Sequence, residues 1–223
     1  MIDTSTLKQC KKDKHGVMGM LSKDIYLELF NQMLRIRNIE LKMIKEIDKC
    51  NKKGDTIGGK IEVIATGLPY GLGSYIQWDK KISTIIGSLM LSINAFKSLT
   101  IGSELSVLGS DYHDQISWSN DKFQRDSNSA GGIEGGMSNA QPIVIRSVMK
   151  PIPTLIKPLR SVDILTKENK LAHKERTDSC SVPAASIVGE SMLCIVLADA
   201  ILEKFGGDTV DQLKAHINAS GKY

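Results

Sequence analysis

Arg176 and Asp178 lie two residues apart in Glu175-Arg-Thr-Asp178, shortly before a proline at position 183 that suits the first turn of a helix. On an extended backbone both side chains point the same way, so a guanidinium that clamps an anion would stand beside a carboxylate that moves a proton. A structural Arg/Asp pair is the plainer use of that spacing. Lys150-Pro-Ile-Pro-Thr154 sets a lysine at the head of a run whose prolines fix an extended backbone and remove N–H donors. Such a run is a rigid wall for a planar ligand or a stiff edge with no further role. Ala130-Gly-Gly-Ile-Glu-Gly-Gly-Met137 offers unhindered backbone N–H groups that a phosphate can approach closely, or a tight connection between strands. It follows neither the Walker pattern nor GxGxxG at the opening of a helix. His113-Asp114 has the spacing of a general-base dyad, but no nucleophile stands beside it and a polar turn is the expectation. His15, His173 and His216 are isolated.

Composition narrows the partners of these groups. The 223 residues are 41% hydrophobic and 24% charged, which argues against a disordered or membrane-spanning chain and allows a sizeable core. Aromatics make up 5%, too few for a nucleic-acid module built on base stacking. The net charge of +4 is spread unevenly. Residues 1–60 carry 13 Lys/Arg against 8 Asp/Glu, in a pattern that reads as a solvated helix face. Arg146 to Arg176 carries eight against three and overlaps the candidate chemistry above. Cys10, Cys50, Cys180 and Cys194 show no metal-ligand or disulfide spacing, so no metal site is expected and reduced thiols in a cytoplasmic protein are. The N-terminal stretch lacks the apolar core of a signal peptide. The most apolar later stretch, Ile187 to Phe205, is interrupted by Glu190, Asp199 and Glu203, which does not suit a bilayer.

The elements that must position these residues follow from periodicity. A helix is predicted from Asn38 to Lys53, stopped at Gly54, with a strand from Lys60 to Gly67 after the turn GDTIGG. Ile82, Ile85, Ile86, Leu89, Met90, Ile93 and Phe96 predict one apolar helical stripe opened by Asp79, a core face. Residues 98–128 read as short strands and polar turns, and 131–136 as loop. A strand is expected over Gln141 to Met149, a long helix from Pro183 to Gly206, and a short one over Val210 to Ile217. A single α+β domain over 1–223 is the economical reading, with 1–37 least informative.

The same segments, in order, resemble chorismate synthase. The matching text is GDTIGGKIEV, GLGSYIQWD, SINAFK, AGGIEGGMSN, QPIVIR, MKPIPTLIKPL, SVDILTKE, ERTDSC, VPAAS and LEKFGGD, covering nearly everything from about residue 38 onward. The resemblance implies that family's β-α-β sandwich fold, here incomplete. It also implies elimination of phosphate from 5-enolpyruvylshikimate 3-phosphate to give chorismate, a lyase step in aromatic amino acid biosynthesis. Reduced FMN is required although the reaction is redox-neutral, with NADPH as a possible reductant. Carried over motif by motif, the FMN contacts are Asn94, Ala95, Gly135, Lys150, Pro151, Ile152, Pro153, Thr154 and Arg176. Arg176 also faces the anionic substrate, and Asp178 matches the carboxylate that works with the flavin in proton removal. The family is a homotetramer, and neither nucleic acid nor membrane is implied.

Several of the family's features are not in this sequence. The GESHG segment with a catalytic histidine, the arginine cluster after it, a second catalytic histidine and the RSSARET stretch do not occur, so the match is to roughly the C-terminal three-fifths. The expectation is a chorismate synthase polypeptide inactive alone; the alternative is a non-catalytic remnant or assembly subunit. Ser98-Leu99 stand where the family has Gly-Val, Gln115 where it has Glu, Ser129 where it has Asn, and Ala140 where it has Gly. A position that required positive φ would resist the Cβ of Ala140.

Overall fold

The structure is a computed structural model that describes residues 41–104, 108–119, 121–176 and 178–220. The chain divides into two compact units, 1–49 and 50–223. In the first, the described residues are helical and mostly exposed, and Lys49 Nζ pairs with Glu46 Oε1 at 2.6 Å one turn away. This helix, α1, runs over 41–52. The remainder of the predicted N-terminal helix and the lysines of 1–40 lie outside the described residues, as do His15 and Cys10.

The second unit is built on strand β1 (Gly59–Ala65), β2 (Tyr70–Gly73), helix α2 (Ile82–Ser92) and β3 (Phe96–Ile101). Hairpin β4 (Ile116–Ser119) and β5 (Lys122–Arg125) precedes β6 (Ile133–Glu134), β7 (Met137–Asn139) and β8 (Ile143–Met149). Short strands β9 (Arg160–Val162) and β10 (Asn169–Leu171) lead to the long helix α3 (Val182–Phe205) and the final α4 (Val210–Ala219). The main sheet is antiparallel in the order β1-β8-β3. Alternation sorts β8 cleanly: Ile143, Ile145, Ser147 and Met149 face inward, while Arg146 faces outward and pairs with Glu62 of β1 at 2.6 Å.

Two helices cover the inner face. From α2 come Ile82, Ile86 and Met90, spaced at one helical turn, and from α3 Ala185, Leu193, Val196, Leu197 and Ala200. With Ile61, Val63, Phe96, Ile143 and Ile145 they form one core, each large side chain contributing about 1.5–3 kcal/mol of transfer free energy. Gly189 lets α3 close on the sheet: a Cβ there would stand 3.2 Å from Ile61 Cδ1 and 3.3 Å from Met90 Cε. Helix α3 is long and apolar enough to cross a membrane by length and composition, but this inner face is committed to the sheet. The fold is α+β, as the sequence predicts.

Two local expectations are corrected. Phe96 belongs to the core but not to α2, because Ile93 turns out of the helical region at ψ 126 and Ala95 at φ 72 reverses the chain into β3. Residues 131–136 are not all loop: Ile133 and Glu134 pair with Ser138 and Met137, leaving Gly135-Gly136 as a two-residue hairpin turn with both φ positive. Glycine at both positions is what such a turn requires.

Candidate active site

The loop GDTIGG, residues 54–59, runs between α1 and β1 and touches two of the candidate segments at once. The Thr56 hydroxyl donates to the carbonyl of Ile152 at 2.6 Å, in the middle of Lys150–Thr154. The next residue, Ile57, donates its N–H to the Ser179 carbonyl at 2.8 Å, directly after Asp178. Gly58 lies so close to the Lys150-Pro151 peptide that a Cβ would clash with the Met149 carbonyl oxygen and come within 2.9 Å of Pro151 N. Gly54 O accepts from Lys157 N at 2.9 Å, fixing the far end of the proline run. From the other side, Lys150 N–H donates to Ala95 O at 2.9 Å, where β3 and β8 meet at Phe96 and Met149.

Thus Asn94, Ala95, Lys150 to Thr154 and the 178–180 segment gather at one end of the main sheet. Asn94, Lys150 and Asp178 are exposed there, and Ile152 and Thr154 are half-buried; Arg176, two residues before Asp178, is exposed as well. Pro151 and Pro153 cannot donate to a strand, so the run stays outside the sheet and its Ile152 carbonyl takes a side-chain donor instead. The residue types, an ammonium on a proline-stiffened wall and a carboxylate two residues after a guanidinium in sequence, suit a phosphorylated planar cofactor and an anionic substrate.

Gly135 is placed elsewhere. Gly136 O accepts from Ile82 N at 2.9 Å at the start of α2, whereas Ala95 follows its end, and the eleven residues between span roughly 16 Å. Gly135 is exposed and borders a pocket of about 450 Å³ with Ser83, Ile101, Tyr112 and His113. Beneath that pocket, Asp114 serves the backbone as the turn expectation holds. Its carboxylate accepts from Ser127 Oγ, from Ser129 N at 2.6 Å and from Ala130 N at 3.0 Å. Partial burial works against its charge, but these bonds, led by that from Ser127 and helped by Arg125, hold it below the ordinary carboxylate range. Tyr112 adds a hydrogen bond from its hydroxyl to Ser129 O at 3.0 Å.

Cys180, next to the Ser179 that Ile57 holds, is partly buried, and so is Cys50 at the end of α1. Desolvation, then the charge of Asp55 and the nearby Cys180, push the Cys50 thiol up, leaving it a protonated and poor nucleophile at neutral pH. Sequence reasoning treated GDTIGG only as a turn. The contacts of its Thr-Ile-Gly core are what that reading leaves out, and the doubled glycine before a strand is the available signal of a close backbone approach.

The chorismate synthase family model matches residues 13–202. The chain belongs to the chorismate synthase family. It is 52% identical over 182 residues to a chorismate synthase of Listeria welshimeri, covering 80% of this chain and 47% of that protein. With a chorismate synthase of Syntrophotalea carbinolica the identity is 47% over 187 residues, covering 82% and 48%. A crystal structure of chorismate synthase superposes with a TM-score of 0.64 at 41% identity, over 80% of this chain and 47% of that one. The chain therefore spans about half the length of the chorismate synthases it matches.

Proposed function

We propose that this chain carries the flavin- and phosphate-facing part of a chorismate synthase site, for the conversion of 5-enolpyruvylshikimate 3-phosphate to chorismate. The observation that supports it is that single hydrogen bonds join Ile152 and Ser179 to the 54–59 loop and Lys150 to Ala95. Asn94, Ala95, Lys150, Pro151, Ile152, Pro153, Thr154 and Arg176 would hold FMN, with Gly135 contributing from its separate loop. Bound reduced flavin would lend electron density as phosphate leaves. Lys150 and Arg176 hold the anionic groups, the proline run excludes water from one face of the ring, and Asp178 takes part in removing the substrate proton. NADPH as reductant, a homotetrameric assembly and a cytoplasmic location belong to the same reading.

The test is turnover of 5-enolpyruvylshikimate 3-phosphate with reduced FMN. The purified 223-residue chain is expected to give negligible chorismate alone, and measurable chorismate when the half of a relative that it does not match is added as a separate polypeptide. Turnover by the chain alone contradicts the division of the site. No turnover with the complement contradicts the catalytic reading and favours a non-catalytic assembly subunit.

A further inference from the structure

We propose that Thr56 is a positioning residue: its hydroxyl, through Ile152, sets the proline-stiffened wall in register with the segment that carries Arg176 and Asp178. The inference rests on the flavin reading above and adds to it a group that touches no ligand. Three consecutive residues make the coupling. Thr56 Oγ1 holds Ile152 O at 2.6 Å, Ile57 N holds Ser179 O at 2.8 Å, and Gly58 packs on the Lys150-Pro151 peptide without room for a side chain. A displacement of either segment is therefore transmitted to the other through two peptide units.

Among the described residues, the bond is also a side-chain restraint at the centre of the Lys150–Thr154 run, beside the packing of Gly58 on its first peptide. Pro151 and Pro153 have no N–H, so the edge of the stretch on which they lie cannot donate to a sheet ladder, and no strand is formed over 150–154. Its ends are tied by Lys150 N to Ala95 O and by Lys157 N to Gly54 O, both 2.9 Å. Between those ties Thr56 anchors the run among the described residues. Proline rigidity fixes the shape of the wall, whereas the hydroxyl fixes where it stands. Binding to a planar ring depends on both, because a preformed face contributes affinity only when it does not have to be moved into place.

The experiment compares the full chain with Thr56→Val, Thr56→Ala and Thr56→Ser. FMN binding is followed by flavin fluorescence and the visible absorption band, and amide exchange is measured at the hydrogen-bonded amides of Ile57 and Lys150. Thr56→Val keeps the shape and loses the donor; it is expected to weaken FMN binding about tenfold, change the bound-flavin spectrum and speed exchange at both amides. Thr56→Ser restores the donor and is expected to bind within about twofold of the parent. Thr56→Ala gives the same comparison should the valine variant not fold. FMN affinity and spectrum unchanged in both donor-less variants would overturn the proposal. If the parent binds no FMN, the flavin reading falls, and exchange still decides the coupling: unchanged exchange at Ile57 overturns it, faster exchange supports it.

Discussion

Ala140 holds a φ of +64° although it carries a Cβ, at the place where the family has glycine. An alanine in the left-handed region costs about 1 kcal/mol relative to glycine. Ala140→Gly is therefore expected to raise the melting temperature by about 2–4 °C, a gain a thermal scan would detect. Unchanged melting would mean that glycine's larger unfolded-state entropy offsets the relief of strain. Asp114 gives a second residue-scale prediction. Its pKa is held below the ordinary value in the folded chain, so the stability it contributes is complete above the unfolded-state pKa, about 4, and is lost as pH falls through the folded value. Asp114→Asn leaves the Ser129 and Ala130 amides one acceptor oxygen short and is expected to cost about 1–3 kcal/mol at neutral pH. The gap between variant and parent should narrow in melting curves taken below about pH 4. A gap that stayed constant with pH would show that the charge is not what the loop uses.

Helices α2 and α3 and strands β1 and β8 were legible because each buries one regular face. Ile82, Ile86 and Met90 on α2 and the alternation of β8 declared their partners in the sequence, and Pro183 and Gly206 marked the ends of α3. What was not legible had no period to read. The Gly135-Gly136 turn depends on the pairing of Ile133 with Ser138, and the end of α2 depends on a single residue, Ala95, at positive φ. The site was legible only as separate segments: nothing in the spacing of Thr56, Ala95, Ile152 and Ser179 says that hydrogen bonds join them. Packing of α3 on the sheet is an element-scale claim with its own test. Gly189→Val drives two methyl groups into Ile61, Val63 and Met90 and is expected to destabilise the chain by about 1–3 kcal/mol, read from urea midpoints. A variant as stable as the parent would mean that α3 has slack against β1.

At the scale of the molecule, the outward face of α3 keeps Ile187, Ile195 and Leu202 more than half exposed, opposite the residues committed to the core. The sheet has the reverse arrangement, with Arg146, Glu62, Lys60 and Glu104 paired on its outer face. The sheet's outer face carries these ion pairs beside the exposed Ile64, while the outward face of α3 presents apolar surface, in a chain that spans about half of its relatives. The cluster that joins Ala95, Lys150–Thr154 and Ser179 offers a test on this chain. The most direct measurement is an FMN titration of the full chain beside Lys150→Ala and Arg176→Ala, followed by flavin fluorescence. The account predicts saturable binding that each variant weakens about tenfold or more, as loss of a charge-assisted contact to phosphate or ring would. Binding indifferent to both substitutions, or none at all, would contradict it.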